Sequence, residues 1–174
     1  MECEVRSSAG VGRSTFQSGV PVRIRYCIVA AIGLFASALP AQQQQGANKQ
    51  VINRPDARPG GVLSPAVRVG DVIFLSGVMG TRQGGVLADG GIEGQTRQAL
   101  ENVKASLALA GASMTDVAKC TVFLTDAANF QAMNTVYREF FPTDPPARST
   151  VAVAALVVPN ALIEIECTAA APKK

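Results

Sequence analysis

The pattern of apolar and polar positions divides the chain into three stretches. Residues 1–22 are polar without an apolar period, Tyr26 to Ala38 is an unbroken run of apolar or small residues, and from Val51 onward strand and helix periods alternate. In that last stretch Ala66-Val-Arg-Val and Val72-Ile-Phe-Leu-Ser-Gly read as two short strands joined at the turn dipeptide Gly70-Asp71. Gly80 to Gly91 is a glycine-rich loop with a short strand expected near Val86-Leu87, and it lacks the Gly-Lys-Ser/Thr ending of a phosphate loop. Ile92, Thr96, Ala99, Leu100, Val103, Leu107 and Ala110 recur every three or four residues, which predicts an amphipathic helix ended by Gly111. Val117 to Thr125 alternates and is rich in β-branched residues, so it predicts a strand. Asp126 is placed to cap a second helix with the stripe Phe130, Met133, Val136, Tyr137, Phe140 and Phe141, stopped by Pro142 and Pro145-Pro146. Two further strands are expected over Arg148–Leu156 and Leu162–Ala170, lying side by side and joined across Val157–Ala161.

The expected order is ββαβαββ, an α+β layer fold with two helices on one face of a mixed sheet. Several strands are apolar on both faces, Val72-Ile-Phe-Leu and Val151-Ala-Val-Ala-Ala-Leu among them. A lone chain would leave that second face wet, so burial against other copies, a homo-oligomer, is expected.

The apolar run near the start has a different meaning. Arg23-Ile-Arg precedes it and Leu39-Pro40-Ala41 follows, which is the layout of a secretory signal peptide over about 23–41. The run is too short for a bilayer span of about 20 residues. Cleavage is expected after Ala41, with Ala38 as the alternative cut and a buried helix as the alternative reading. Residues 1–41 are therefore an N-terminal extension plus signal peptide, 42–50 a linker, and 51–171 one domain. The mature protein would be periplasmic or secreted, with no stable membrane association. Cys120 and Cys167 stay with the domain and read as small buried hydrophobes, with a disulfide between them as the alternative.

Composition removes whole classes of chemistry. Among 174 residues there is no His, so Ser-His-Asp and Cys-His catalysis and His-ligated zinc are excluded. The net charge is +3, falls to about +1 once the four Arg and two Glu of the leader are gone, and aromatic residues are only 5%. With few rings and no basic run, nucleic acid is not an expected partner.

Two places carry chemistry-bearing residues inside apolar strands: Arg148 in Pro146-Ala-Arg-Ser149, and Glu164 and Glu166 in Ile163-Glu-Ile-Glu166. Charges among apolar neighbours cost free energy unless they are paired or used. One reading is a structural Arg148–Glu164 ion pair. The other is a site for a small anion, in which the guanidinium forks onto a carboxylate and a glutamate handles a proton or a water.

These motifs, with Ile73-Phe-Leu-Ser-Gly77, Thr96-Arg-Gln-Ala-Leu-Glu-Asn-Val-Lys104, Ala118-Lys-Cys-Thr-Val-Phe-Leu-Thr-Asp126 and Met133-Asn-Thr-Val-Tyr137, follow one another in the order of a known family. Over about 51–171 the chain resembles the RidA/YjgF (L-PSP) family of reactive intermediate deaminases. The resemblance implies a chorismate-mutase-like α+β fold, a homotrimer, and ligand clefts between subunits. It further implies hydrolysis of enamines and imines, of the 2-aminoacrylate and 2-iminobutyrate type, to 2-keto acids and ammonia, without metal or cofactor. Residue by residue, Arg148 matches the family arginine that binds the substrate carboxylate, and Glu164 the acid that positions water and moves its proton, with Glu166 as fallback. Asn134, Ser76 and Gly77 match cleft-lining positions, and Thr150 stands where many members have Cys, in a role that belongs to the backbone carbonyl. The chain departs from the family at Ser64-Pro65-Ala66, where many members carry Gly-Pro-Tyr, and at Val78, where Gln is usual. Those changes keep open a non-catalytic trimeric module that binds small carboxylates or a protein client through the same cleft. Endoribonuclease activity is a third, weaker alternative.

Overall fold

A computed structural model describes residues 48–57 and 60–173. The extension, the signal-peptide reading and its cleavage sites lie outside the described residues. Seven strands and two helices follow in chain order: β1 (Lys49–Ile52), β2 (Ala66–Val69), β3 (Val72–Leu75), β4 (Val78–Met79), α1 (Gly91–Leu109), β5 (Val117–Leu124), α2 (Phe130–Phe140), β6 (Ala147–Ala152) and β7 (Ile163–Ala170). The expected core ββαβαββ is present, with β1 and β4 as additions. Strand β1 begins at Lys49, so the stretch read as linker 42–50 ends two residues early. Its pairing with β2 explains why: Lys49 to Ile52 lie opposite Val69 to Ala66, and the ladder satisfies their backbone groups despite a polar start. Near Val86-Leu87 only an isolated Thr81–Leu87 bridge forms.

Local chemistry explains both helices. The α1 stripe buries Ala99, Leu100, Val103 and Leu107, and Gly111 at φ 74° takes the left-handed turn that stops it. Asp126 accepts a hydrogen bond from the Ala128 N–H, but it caps a short 3-10 turn (Ala127–Asn129) that leads into α2. Both helices pack on one sheet face, in a single core with Ile73, Cys120, Val122, Leu124, Ile163, Ile165, Cys167 and Ala169.

The sheet runs β1-β2-β3-β7-β5-β6, with β4 beside β7 next to the end of β3. It is mixed: β5 and β6 are parallel and the other pairs antiparallel. The two C-terminal strands are not neighbours, contrary to the adjacency expected of them, because β5 lies between. Strand β6 also stops at Ala152, short of Leu156. It is an edge strand held on one side, so the alanines beyond it have no second ladder to stay in.

Cys120 and Cys167 face each other across β5 and β7 and are joined by a disulfide. The reading as free thiols is thereby corrected to its alternative, because the β5–β7 register sets the two side chains opposite each other; both are core residues, 0% and 2% exposed.

Among the described residues, the opposite sheet face carries no helix. Val51 (47% exposed), Val72 (38%), Phe74 (49%) and Val151 (44%) stand on it, as the doubly apolar strands led one to expect.

Candidate functional site

Alternation along the strands decides where each candidate points. On β7, Ile163, Ile165 and Cys167 are buried under the helices, so Glu164 and Glu166 point to the open face. On β6, Arg148 lies in register with Cys120, a core residue, and therefore points to the helix face. Its side chain runs along α2. Nη2 donates to Asn134 Oδ1 at 2.6 Å, Nη1 lies 3.9 Å from the Met133 sulfur, and Cζ stands 4.5 Å from the Tyr137 ring centre and 5.7 Å from that of Phe130.

Arg148 and Glu164 are thus on opposite faces of one sheet. Glu164 is in register with Phe123 of β5, and Arg148 with Cys120. They are separated by two strand spacings sideways, about 10 Å, and by three residues lengthwise, about another 10 Å. The structural Arg148–Glu164 ion pair is absent; Arg148 is instead bonded to Asn134. The face alternation makes such a pair unreachable.

Two half-sites result. The first is a cavity of about 370 Å³ lined by Asn134, Tyr137, Phe141, Pro146 and Arg148. Burial pushes the Tyr137 phenol up to about 12, against a smaller downward pull from the Arg148 charge, so it stays neutral at working pH. Asn134 and Arg148 were expected together and are together. Thr150, two residues along on the same face, lines a neighbouring cavity with Phe130 and Leu124 rather than that of Arg148.

The second half-site surrounds Glu164. Between β3 and β4 the chain breaks its ladder at Ser76-Gly77 and passes over the Glu164 side chain so closely that a Cβ on Gly77 would collide with Oε1. Ser76 Oγ donates to the Ser64 carbonyl at 2.6 Å, tying this break to the segment before β2. Ser64, Pro65, Ser76, Gly77 and Val78 line a cavity of about 790 Å³, whereas Ala66 is fully buried in the core. Glu164 and Glu166 line a further cavity of about 270 Å³ with Phe123 and Val157.

Two residues that sequence reading passed over hold this half-site. Gln95 of α1 is 5% exposed; its Oε1 accepts the Leu162 N–H at 2.8 Å and its Nε2 donates to the Asn160 carbonyl at 3.3 Å, fastening the turn into β7. Seven residues on, Asn102 Nδ2 donates to the Met79 and Thr81 carbonyls at 3.0 and 2.8 Å. The available signal was an amide at helix spacing on an otherwise apolar stripe, where a buried polar group needs partners. Among the described residues no group of His, Cys, Asp and Glu is arranged to hold a metal ion.

Fold and site define an α+β protein with a cavity-lining arginine on one face of its sheet and an acid on the other. Residues 52–171 match the Endoribonuclease L-PSP family. Reactive Intermediate Deaminase A of Arabidopsis thaliana, a chloroplastic protein, is 37% identical over 93% of this chain and 84% of its own length. The 2-iminobutanoate/2-iminopropanoate deaminase of Dermatophagoides farinae is 42% identical over 68% of this chain and 93% of its own. The crystal structure of RidA from a Psychrobacter species superposes with a TM-score of 0.63 at 36% identity, over 70% of this chain and 98% of that one. The chain belongs to the RidA/YjgF family.

Proposed function

We propose that this protein hydrolyses reactive 2-imino acids and their enamine tautomers to 2-keto acids and ammonia, as a homotrimer with sites between subunits. One observation carries the reading: Arg148 and Glu164 lie on opposite sheet faces, so a site that uses both needs two copies. The exposed Val51, Val72, Phe74 and Val151 supply the apolar face for that contact. The two deaminase relatives support the reaction.

In this reading Arg148 of one copy holds the substrate carboxylate by a two-pronged, charge-assisted fork. Glu164 of the neighbour, seated against Gly77, accepts a proton from water as its oxygen attacks the imine carbon. That proton passes to nitrogen, giving the carbinolamine; Glu164 then takes the hydroxyl proton as the C–N bond breaks and returns it to the departing nitrogen, so that ammonia leaves and the keto group remains. The imine carbon is already electrophilic, so side chains that orient the reactants and shuttle the two water protons in turn suffice.

A non-catalytic carboxylate-binding module is the second reading, favoured by the apolar Val78 and the buried Ala66 beside the larger cavity. A coupled assay separates the two. An amino-acid oxidase generates 2-iminopropanoate, and its loss is timed with the full chain and with Glu164→Gln. The deaminase reading expects acceleration that Glu164→Gln removes while pyruvate binding persists; binding without acceleration selects the module. Sedimentation tests the assembly, and a monomer at micromolar concentration rejects the shared site. We also read the protein as exported, and the Cys120–Cys167 disulfide supports this, because such bonds persist in oxidising compartments.

A further inference from the structure

We propose that Tyr137 is the positioning residue for Arg148: its ring, set against the guanidinium, holds the plane of the fork and so governs affinity for the carboxylate rather than turnover. The inference rests on the carboxylate role of Arg148 above, and it does not need the deaminase step.

A guanidinium on a flexible stem presents two parallel donors only when its plane is fixed. The hydrogen bond from Nη2 to Asn134 fixes one point and leaves the plane free to swing about that bond. The Met133 sulfur is a weak acceptor at 3.9 Å and adds little. The Tyr137 ring, with Cζ 4.5 Å from its centre, opposes that swing; Phe130, at 5.7 Å, is a looser support. Tyr137 is itself closely packed. It is 4% exposed, and its ring is set 4.8 Å from that of Phe141 at 37°.

The hydroxyl separates the ring's role from that of the phenol. The Tyr137 oxygen is buried and has no hydrogen-bond partner among the described residues, which costs stability without touching Arg148. Because the phenol stays neutral below about 12, it places no counter-charge beside the guanidinium, whose charge remains available to a ligand. Position 137 therefore acts through an aromatic face.

The test measures pyruvate binding to the full chain by calorimetry, and KM and kcat in the coupled assay. Tyr137→Met keeps an unbranched apolar filler and removes the ring. It is expected to weaken pyruvate binding and raise KM about tenfold, with kcat within about twofold. Tyr137→Phe, which keeps the ring, recovers most of the affinity, and the difference between the two holds from pH 6 to 9. A Tyr137→Met protein with native sedimentation that binds pyruvate within twofold of wild type overturns the inference, as does a fall in kcat alone. Should Tyr137→Met not assemble, Tyr137→Leu and the Arg148→Lys background serve instead. Loss of the ring must cost little once the fork is gone, and equal costs in both backgrounds reject the coupling. A wild type that binds pyruvate through Arg148 yet releases no ammonia sinks the deaminase reading and leaves this one standing. Pyruvate binding indifferent to Arg148→Lys overturns both.

Discussion

Mixing two inactive variants gives a sharp test of the face geometry. Arg148→Ala removes a fork of two charge-assisted hydrogen bonds, each worth about 1.5–3 kcal/mol, so turnover at low substrate should fall about 10²–10⁴-fold. Glu164→Gln removes the proton acceptor and should cost about as much. If each site takes its arginine from one copy and its glutamate from the next, a Glu164→Gln subunit beside an Arg148→Ala subunit, in the right order, rebuilds one intact site. Random assembly from equal amounts gives that order at about a quarter of junctions in a closed ring, so about 25% of wild-type activity returns from two parents that each show about 1% or less. Oligomers selected by two different affinity tags to contain both variants sharpen the count. A trimer holding both has one correct junction in three, and a dimer one in two, so recovery near a third also reports the subunit number. The assay is the coupled deamination on co-expressed, doubly tagged protein, with both subunits verified by intact mass. Mixed oligomers that stay at the level of the parents would refute the reasoning, because they would mean that both groups serve one site within one subunit, which their opposite faces forbid.

The Cys120–Cys167 bond closes a separation of 47 residues, which in the chain-entropy account stabilises the fold by about 4 kcal/mol. The Cys120→Ala/Cys167→Ala protein should unfold in urea with that loss, and a linked peptide two hydrogens lighter than its reduced parts should appear on non-reducing digestion; absence of the linked peptide rejects the bond. Gly77→Ala should displace the Glu164 carboxylate, the mobile end of a side chain, and lower kcat with a near-native melting point. Gly80→Ala is expected to do the reverse kind of damage, since its Cβ would strike the backbone of Gln95 and the fold itself must give; a melting point unchanged within about 2 °C contradicts this. Expressed from its own start in a diderm bacterium, the protein should be found in the periplasm beginning near Gln42 or Leu39, and a full-length cytosolic product counts against export.

Much of the fold was legible because its signals are local. The α1 stripe from Ile92 to Ala110, the β-branched alternation of Val117–Thr125, and the Gly70-Asp71 turn each state an element within a window of a few residues, and each stands in the structure. The strand β1 was not legible, because Lys49-Gln50-Val51-Ile52 has no local signal and is a strand only by virtue of β2 beside it. Strand β4 is two residues long and owes its existence to β7. Gln95 and Asn102 were missed for the same reason: their partners, at 160–162 and 79–81, are distant in sequence.

The site divides along the same line. The sequence alone named the residues with chemistry, since Arg148 and Glu164 are costly among apolar neighbours and the absence of His leaves few other candidates. It also carried the apolar second face of the strands, on which the proposed partner copy rests. Whether Arg148 and Glu164 neutralise each other or stay apart was not in the sequence. That turned on strand order, and the insertion of β5 between β6 and β7 is a long-range outcome of packing. The register of each strand on β5 then sent Arg148 under the helices to Asn134 and Tyr137, and Glu164 to the open face against Gly77. Side-chain direction in a sheet has a period of two, so one residue of register decides which face a charge meets, and only the assembled sheet sets that register.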